Sequence, residues 1–193
     1  MVFKFIQSIK KHNAGYTFSE LMVSIAIIAI FTAVVVPSYK NINQGFTLDG
    51  EAVSIAQTVR NVQEMSMSAQ RISETEPPPL GGYGIYINLS SKDRYVVFAD
   101  KNDNGIYDPS SGPGGEAIET VYLDSNVEIK QINSPTQPGC CSQLIITYKP
   151  PDPIVGMLTE SGPYAQNSIS VELKLGNKIR EVFFNKVGLV DID

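Results

Sequence analysis

Residues 10–40 read KKHNAGYTFSELMVSIAIIAIFTAVVVPSYK, and this stretch decides how the rest of the chain is read. No charged residue falls between Leu21 and Tyr39. With Tyr16–Glu20 in front, the apolar segment reaches about 20 residues, enough for one helix to cross a hydrocarbon core. Lys4, Lys10 and Lys11 precede it, so the positive-inside rule puts the N-terminus in the cytoplasm and everything after residue 40 outside. A secretory signal peptide has an apolar core of about 7–15 residues followed by a small-residue cleavage site. Here the run is longer and ends in VVVPSYKN without such a site. An ordinary single-span anchor fits the length but leaves Glu20 unexplained.

Glu20 stands inside the apolar segment, where a carboxylate costs about 2–3 kcal/mol and is usually paired or functional. Its natural partner is a cation in the same layer. A freshly cut α-amino group on Tyr16 of a second subunit is such a cation.

KKHNAG followed by YTFSE and an apolar run resembles the class III leader of type IV pilins and type II secretion pseudopilins. The resemblance implies cleavage after Gly15 by a prepilin peptidase and N-methylation of Tyr16. Counted from Tyr16, Glu20 is the fifth residue, the family's acidic position. Pro37 is the twenty-second, where the family often carries a helix-kinking proline. Tyr16 departs from the commoner phenylalanine. The implied partners are other pilin or pseudopilin subunits and an inner-membrane assembly platform. Glycine before the cut also has a physical rationale, because it lets a membrane protease approach the backbone closely.

The chain has 15 basic and 20 acidic residues, a formal charge of −5. The leader holds three of the lysines and no acid, so its removal leaves 12 against 20, or −8. That balance disfavours broad binding to phosphate backbones. The single histidine, His12, lies in the leader. The mature chain therefore lacks the base of most Ser/His/Asp and Cys/His mechanisms and every His-ligated metal site. An enzyme is not expected.

Beyond Pro37, which should kink or loosen the helical ladder, Asn41–Gly45 forms a second soft point. Ala52, Ile55, Ala56, Val59 and Val62 then recur at helical spacing, with Ala69 further along the same face and Glu51, Gln57, Arg60, Glu64 and Arg71 away from that stripe. The pattern predicts one long, interrupted helix from about Tyr16 to about Ile72. Glu76-Pro-Pro-Pro-Leu-Gly-Gly ends it. Strand-like runs follow at 83–89, 95–99, 117–123, 127–132, 144–148, 168–175 and 178–185, with a short one in 187–192. Gly176-Asn177 reads as a tight hairpin. The expected fold is α+β, with a long N-terminal helix packed on an antiparallel β-sheet head, as in pilins. The segments are a leader (1–15), a transmembrane and assembly half-helix (16–39), an amphipathic half-helix (40–75) and a β-rich head (76–193). The head, through YVVFADKNDNGIYD and LGNKIREVFFNKVGLVDI, resembles the H-type head of minor pseudopilins and minor pilins.

Two local features stay open. Asp100, Asn102, Asn104, the Ile106 carbonyl and Asp108 match the opening of an EF-hand-like calcium loop, with Gly105 at its sharp turn. The twelfth position is Ser111 rather than Glu, although Glu116 could return around the loop. The other reading is a plain polar Asn-Gly turn. Cys140 and Cys141 are adjacent, so they form a strained vicinal disulfide, stay reduced and partly buried, or bond to another chain.

The functional expectation is a structural subunit, of the minor class, in a pilus or pseudopilus. It is a single-pass protein of the inner (cytoplasmic) membrane before assembly. The alternative is a DNA-binding minor pilin using Lys149, Lys174, Lys178 and Arg180, which the acidic total opposes.

Overall fold

A computed structural model describes residues 15–110, 115–151 and 154–193. The leader residues Lys4, Lys10, Lys11 and His12, and Ser111 of the 100–108 loop region, lie outside them. One α-helix, α1, spans Phe18–Met67. Its assignment runs without a break through Pro37 and the 41–45 stretch, where the sequence predicts an interruption. The chain divides into two compact units, Met1–Ile42 and Asn43–Asp193.

In the first unit, Phe18–Val35 is an 18-residue helical stretch of mean hydropathy 2.3, none of it buried within the chain. At about 1.5 Å per residue it is nearly as long as a hydrocarbon core is thick. Its hydroxyl groups are satisfied inside the helix. Ser24 Oγ donates to the Glu20 carbonyl (2.7 Å) and Thr32 Oγ1 to the Ile28 carbonyl (2.8 Å). Such back-bonding lets serine and threonine sit in lipid without an unsatisfied donor.

In the second unit, the C-terminal part of α1 packs with two antiparallel sheets. The first has the order β3-β2-β1-β6-β7-β8, from β1 (Tyr83–Asn88), β2 (Arg94–Ala99), β3 (Ala117–Tyr122), β6 (Gln143–Lys149), β7 (Ile154–Thr159) and β8 (Gly162–Pro163). The second has the order β11-β10-β9-β4-β5, from β4 (Glu128–Ser134), β5 (Gln137–Cys141), β9 (Ser168–Leu175), β10 (Lys178–Asn185) and β11 (Val190–Ile192). Leu175 faces Lys178 across the two-residue Gly176-Asn177 loop, the predicted hairpin. Leu48, Ala52, Ile55, Val59 and Val62 of α1 join one buried cluster with residues from both sheets. The alternation of β1 follows from this burial. Tyr83, Ile85 and Ile87 belong to that cluster, while Tyr86 and Asn88 are only half-buried.

Polar contacts fix the helix against the sheets. Ser66, fully buried, accepts from the Tyr83 amide (2.9 Å), and Tyr95 Oη donates to Thr58 Oγ1 (3.0 Å). On the second sheet, Arg180 pairs with Asp49. Glu172 is the most heavily engaged buried acid there. Burial disfavours its charge, but Lys130 Nζ and Gln131 Nε2, both at 2.6 Å, hold its carboxyl below the usual range.

The helix stops at Met67, about a turn before the expected end near Ile72. The Ala69 amide donates to the Ser66 carbonyl (3.1 Å) and the Gln70 amide to the Met65 carbonyl (3.0 Å), the two bonds of a Schellman cap. The cap needs a left-handed residue, and Ala69 takes that place at φ +46°. An L-residue with a Cβ is disfavoured there by about 1 kcal/mol. Ala69→Gly should therefore stabilise the protein by about 1 kcal/mol, seen as a higher thermal midpoint in detergent. A lower midpoint would mean that the helix continues past residue 69.

Candidate functional site

The site that the sequence singles out begins where α1 begins. Gly15, Tyr16 and Thr17 precede the helix and are exposed, Tyr16 at 87%. The Gly15–Tyr16 bond thus lies outside regular structure, as a peptide bond that must enter a protease site should. A Cβ built on Gly15 meets nothing within 4 Å. Packing among the described residues does not demand glycine there.

Glu20 has a role that the sequence reading missed. The Thr17 amide and Thr17 Oγ1 both donate to Glu20 Oε2 at 2.8 Å, and the Glu20 amide donates to Thr17 Oγ1 at 3.3 Å. Thr17 and Glu20 therefore form a capping box on the first turn of α1. The signal was present as Thr-x-x-Glu immediately before an apolar run. Both Thr17 contacts fall on Oε2, so Oε1 receives neither of them.

The 100–108 segment forms a tight loop after β2. Asp100, buried at 1% exposure, accepts from the Asn104 amide on Oδ1 (3.1 Å) and from the Gly105 amide on Oδ2 (2.8 Å). Asn102 Oδ1 accepts from the Asn104 amide (3.1 Å), and Asn104 Oδ1 from the Ile106 amide (2.7 Å). Asp108 Oδ2 accepts from Asn102 Nδ2 (2.9 Å). Gly105 makes the sharp turn at φ +71°. Glu116 does return to the loop, accepting from the Lys101 amide (3.1 Å) and the Asp108 amide (2.9 Å). Burial pushes its carboxyl above the usual range; those two amides oppose the shift, and the Asp100 and Asp108 charges add to it. The loop is thus closed by its own hydrogen bonds. Asp108 Oδ2 accepts a second bond, from Asn104 Nδ2 (3.3 Å). Among the described residues, no group of three His, Cys, Asp or Glu side chains is arranged to hold a metal ion.

Cys140 and Cys141 end β5 as free thiols, the first half-buried and the second buried. Burial, with Cys140 alongside, pushes the Cys141 thiol up to about 12, so it is protonated and unreactive at neutral pH. The four cations proposed for DNA do not form a free patch. Lys149 pairs with Asp103 at 2.6 Å, Lys174 with Glu128 at 3.6 Å and Arg180 with Asp49. The Lys178 ammonium lies beside Gly45, 2.8 Å from where a Cβ would stand.

Residues 10–36 match the prokaryotic N-terminal methylation motif. The match spans the leader end, Gly15, Tyr16, Glu20 and most of the apolar stretch. With the exposed apolar helix and the α+β head, the match supports a type IV pilin-like protein with prepilin peptidase processing. Neither the curated proteins nor the solved structures contain a match to the chain. Coexpression with a prepilin peptidase should remove residues 1–15, and N-terminal mass analysis should find methylated Tyr16. An uncut chain would contradict the assignment.

Proposed function

We propose that this chain is a minor structural subunit of a type IV pilus or a type II secretion pseudopilus, without catalytic activity. The observation that carries the reading is the methylation motif followed directly by an apolar helix with no cover inside the chain. Minor rank is supported by the strand-rich head and by the absence of a widely spaced cysteine pair. In this reading the precursor spans the inner membrane once, with its leader in the cytoplasm and its head outside, and an inner-membrane assembly platform extracts it into the filament. The lysines ahead of the apolar stretch support that orientation.

Register between subunits comes from Glu20. The α-amine created at Tyr16 of one subunit meets Glu20 of another, and each neutralises the other at membrane depth. The capping box provides a clean separation of roles, because glutamine also serves at the third helical position. Glu20→Gln should keep the helix start and the cleavage but impair assembly, scored as sheared filament per cell. Normal filament yield in Glu20→Gln would refute charge pairing.

The DNA-binding alternative draws on the same head. It has less support, since three of its four cations are engaged by carboxylates. A structural calcium ion at the 100–108 loop is supported by the spacing of Asp100, Asn102, Asn104, the Ile106 carbonyl and Asp108, with Glu116 folded back beside them. Oxygen-only ligation of this kind suits calcium. On that reading, millimolar calcium raises the melting temperature of the wild-type protein but not of Asp100→Asn. An unchanged melting temperature in the wild type removes the ion.

A further inference from the structure

We propose that the outer face of the first sheet carries a saccharide-binding groove between Tyr107 and Tyr122. The groove encloses about 380 Å³, in the range of small-ligand sites. It lies on the face opposite the helix. Tyr86 on β1, Val96 on β2 and Thr120 on β3 are successive cross-strand neighbours there.

Two aromatic ends frame it. At one end, the Tyr107 ring lies 5.0 Å from Tyr86 and 5.4 Å from Phe98, centroid to centroid. Tyr107 reaches the sheet because the hydrogen-bonded 100–108 loop folds back over it. Phe98 has its place because β1 carries Gly84, where a Cβ would fall 2.7 Å from the Phe98 ring. At the other end, Tyr122 is 62% exposed, with the Arg94 guanidinium 5.6 Å over its ring. Arg94 Nη1 also approaches Tyr122 Oη (3.4 Å), and Nη2 approaches Ser91 Oγ (3.4 Å). Asn88 Nδ2 donates to Tyr86 Oη at 2.5 Å, which fixes the amide beside the ring.

The chemistry of this lining selects among ligands. An aromatic face carries negative potential and receives the C–H face of a sugar ring, while amides, hydroxyls and a guanidinium meet its hydroxyl groups. Among the described residues, Arg94 is the one charged side chain lining the groove. A nucleic-acid strand needs several cations along its backbone as well as stacking rings. A purely apolar ligand would strip water from Tyr122 Oη, Asn88 and Thr120 and offer no polar group in exchange. A short neutral oligosaccharide satisfies both the rings and the polar groups.

The test titrates the full-length protein, in a zwitterionic detergent with no sugar headgroup, with chitotetraose, cellotetraose and maltotetraose by calorimetry. At least one should bind, and Tyr122→Ala should weaken it by about tenfold or more with an unchanged melting temperature. Phe183→Ala, on the second sheet, should bind as the wild type does. No binding of any of the three at about 10 mM, or equal binding in Tyr122→Ala, overturns the proposal. So does tight binding of a twelve-residue oligothymidylate that is lost in Arg94→Gln, which would assign the groove to single-stranded nucleic acid.

Discussion

The stripe of α1 from Leu48 to Val62 is the surface on which the head is built. Ala52, Ile55 and Val59 are completely buried and Ala56 nearly so, on one face of the helix to which both sheets contribute side chains. The first sheet supplies Ile85, Ile87 and Ile146, and the second supplies Ile129, Val171, Leu173 and Val182. The two sheets share no backbone ladder. They are held together through the helix and through side chains, each fully buried aliphatic group contributing about 1.5–3 kcal/mol. The buried polar contacts at Ser66 and Tyr95 then select one register of helix on sheet, since sliding the helix would strand a buried donor.

Much of this was legible in the sequence because it follows from period. The stripe repeats at helical spacing, and seven of the strands alternate or run apolar between turn residues. The strands that escaped sequence reading are β5, β7 and β8, and each carries residues that argue against a strand. β5 is Gln-Pro-Gly-Cys-Cys, β7 has Gly156 in its middle, and β8 is Gly162-Pro163. β5 and β8 close the edges of their sheets, where proline is tolerated because one row of backbone groups needs no partner. The expected break at Pro37 rested on the lost N–H, a local rule; the helical assignment nonetheless passes through it. The Asp49–Arg180 pair and the groove between Tyr107 and Tyr122 join residues far apart in sequence, and no local pattern marks them.

Glu20 shows how one side chain can satisfy two constraints. A carboxylate in the first turn offsets the free amides and the positive end of the helix macrodipole, and Thr17 holds it there. That is enough to explain an acidic residue at this place in a water-soluble helix. It is not enough at the head of an 18-residue apolar run, where the charge itself remains costly and the capping amide neutralises none of it. The cap orients the carboxylate, and the unmet charge is what a neighbouring amine would answer. On the proposed pairing, local helix chemistry and filament assembly act on the same carboxylate without competing.

The outer faces of the two sheets differ in kind. On the second, Glu172 is locked to Lys130 and Gln131, and Glu181 accepts from Ser170 Oγ, so its charges are spent on neighbours. On the first, aromatic rings and amides stand where the core makes no demand of them. Tyr122 at 62% exposure stabilises little by burial, and its stacking on Arg94 is worth about 0.5–1 kcal/mol at such a site. Phe98 and Tyr107, by contrast, need Gly84 and the whole 100–108 loop to reach their places. Since the inner faces alone suffice to cover the helix, the residues of the outer face are free to differ between proteins of this build. That face, rather than the core, is where the proposed saccharide groove lies.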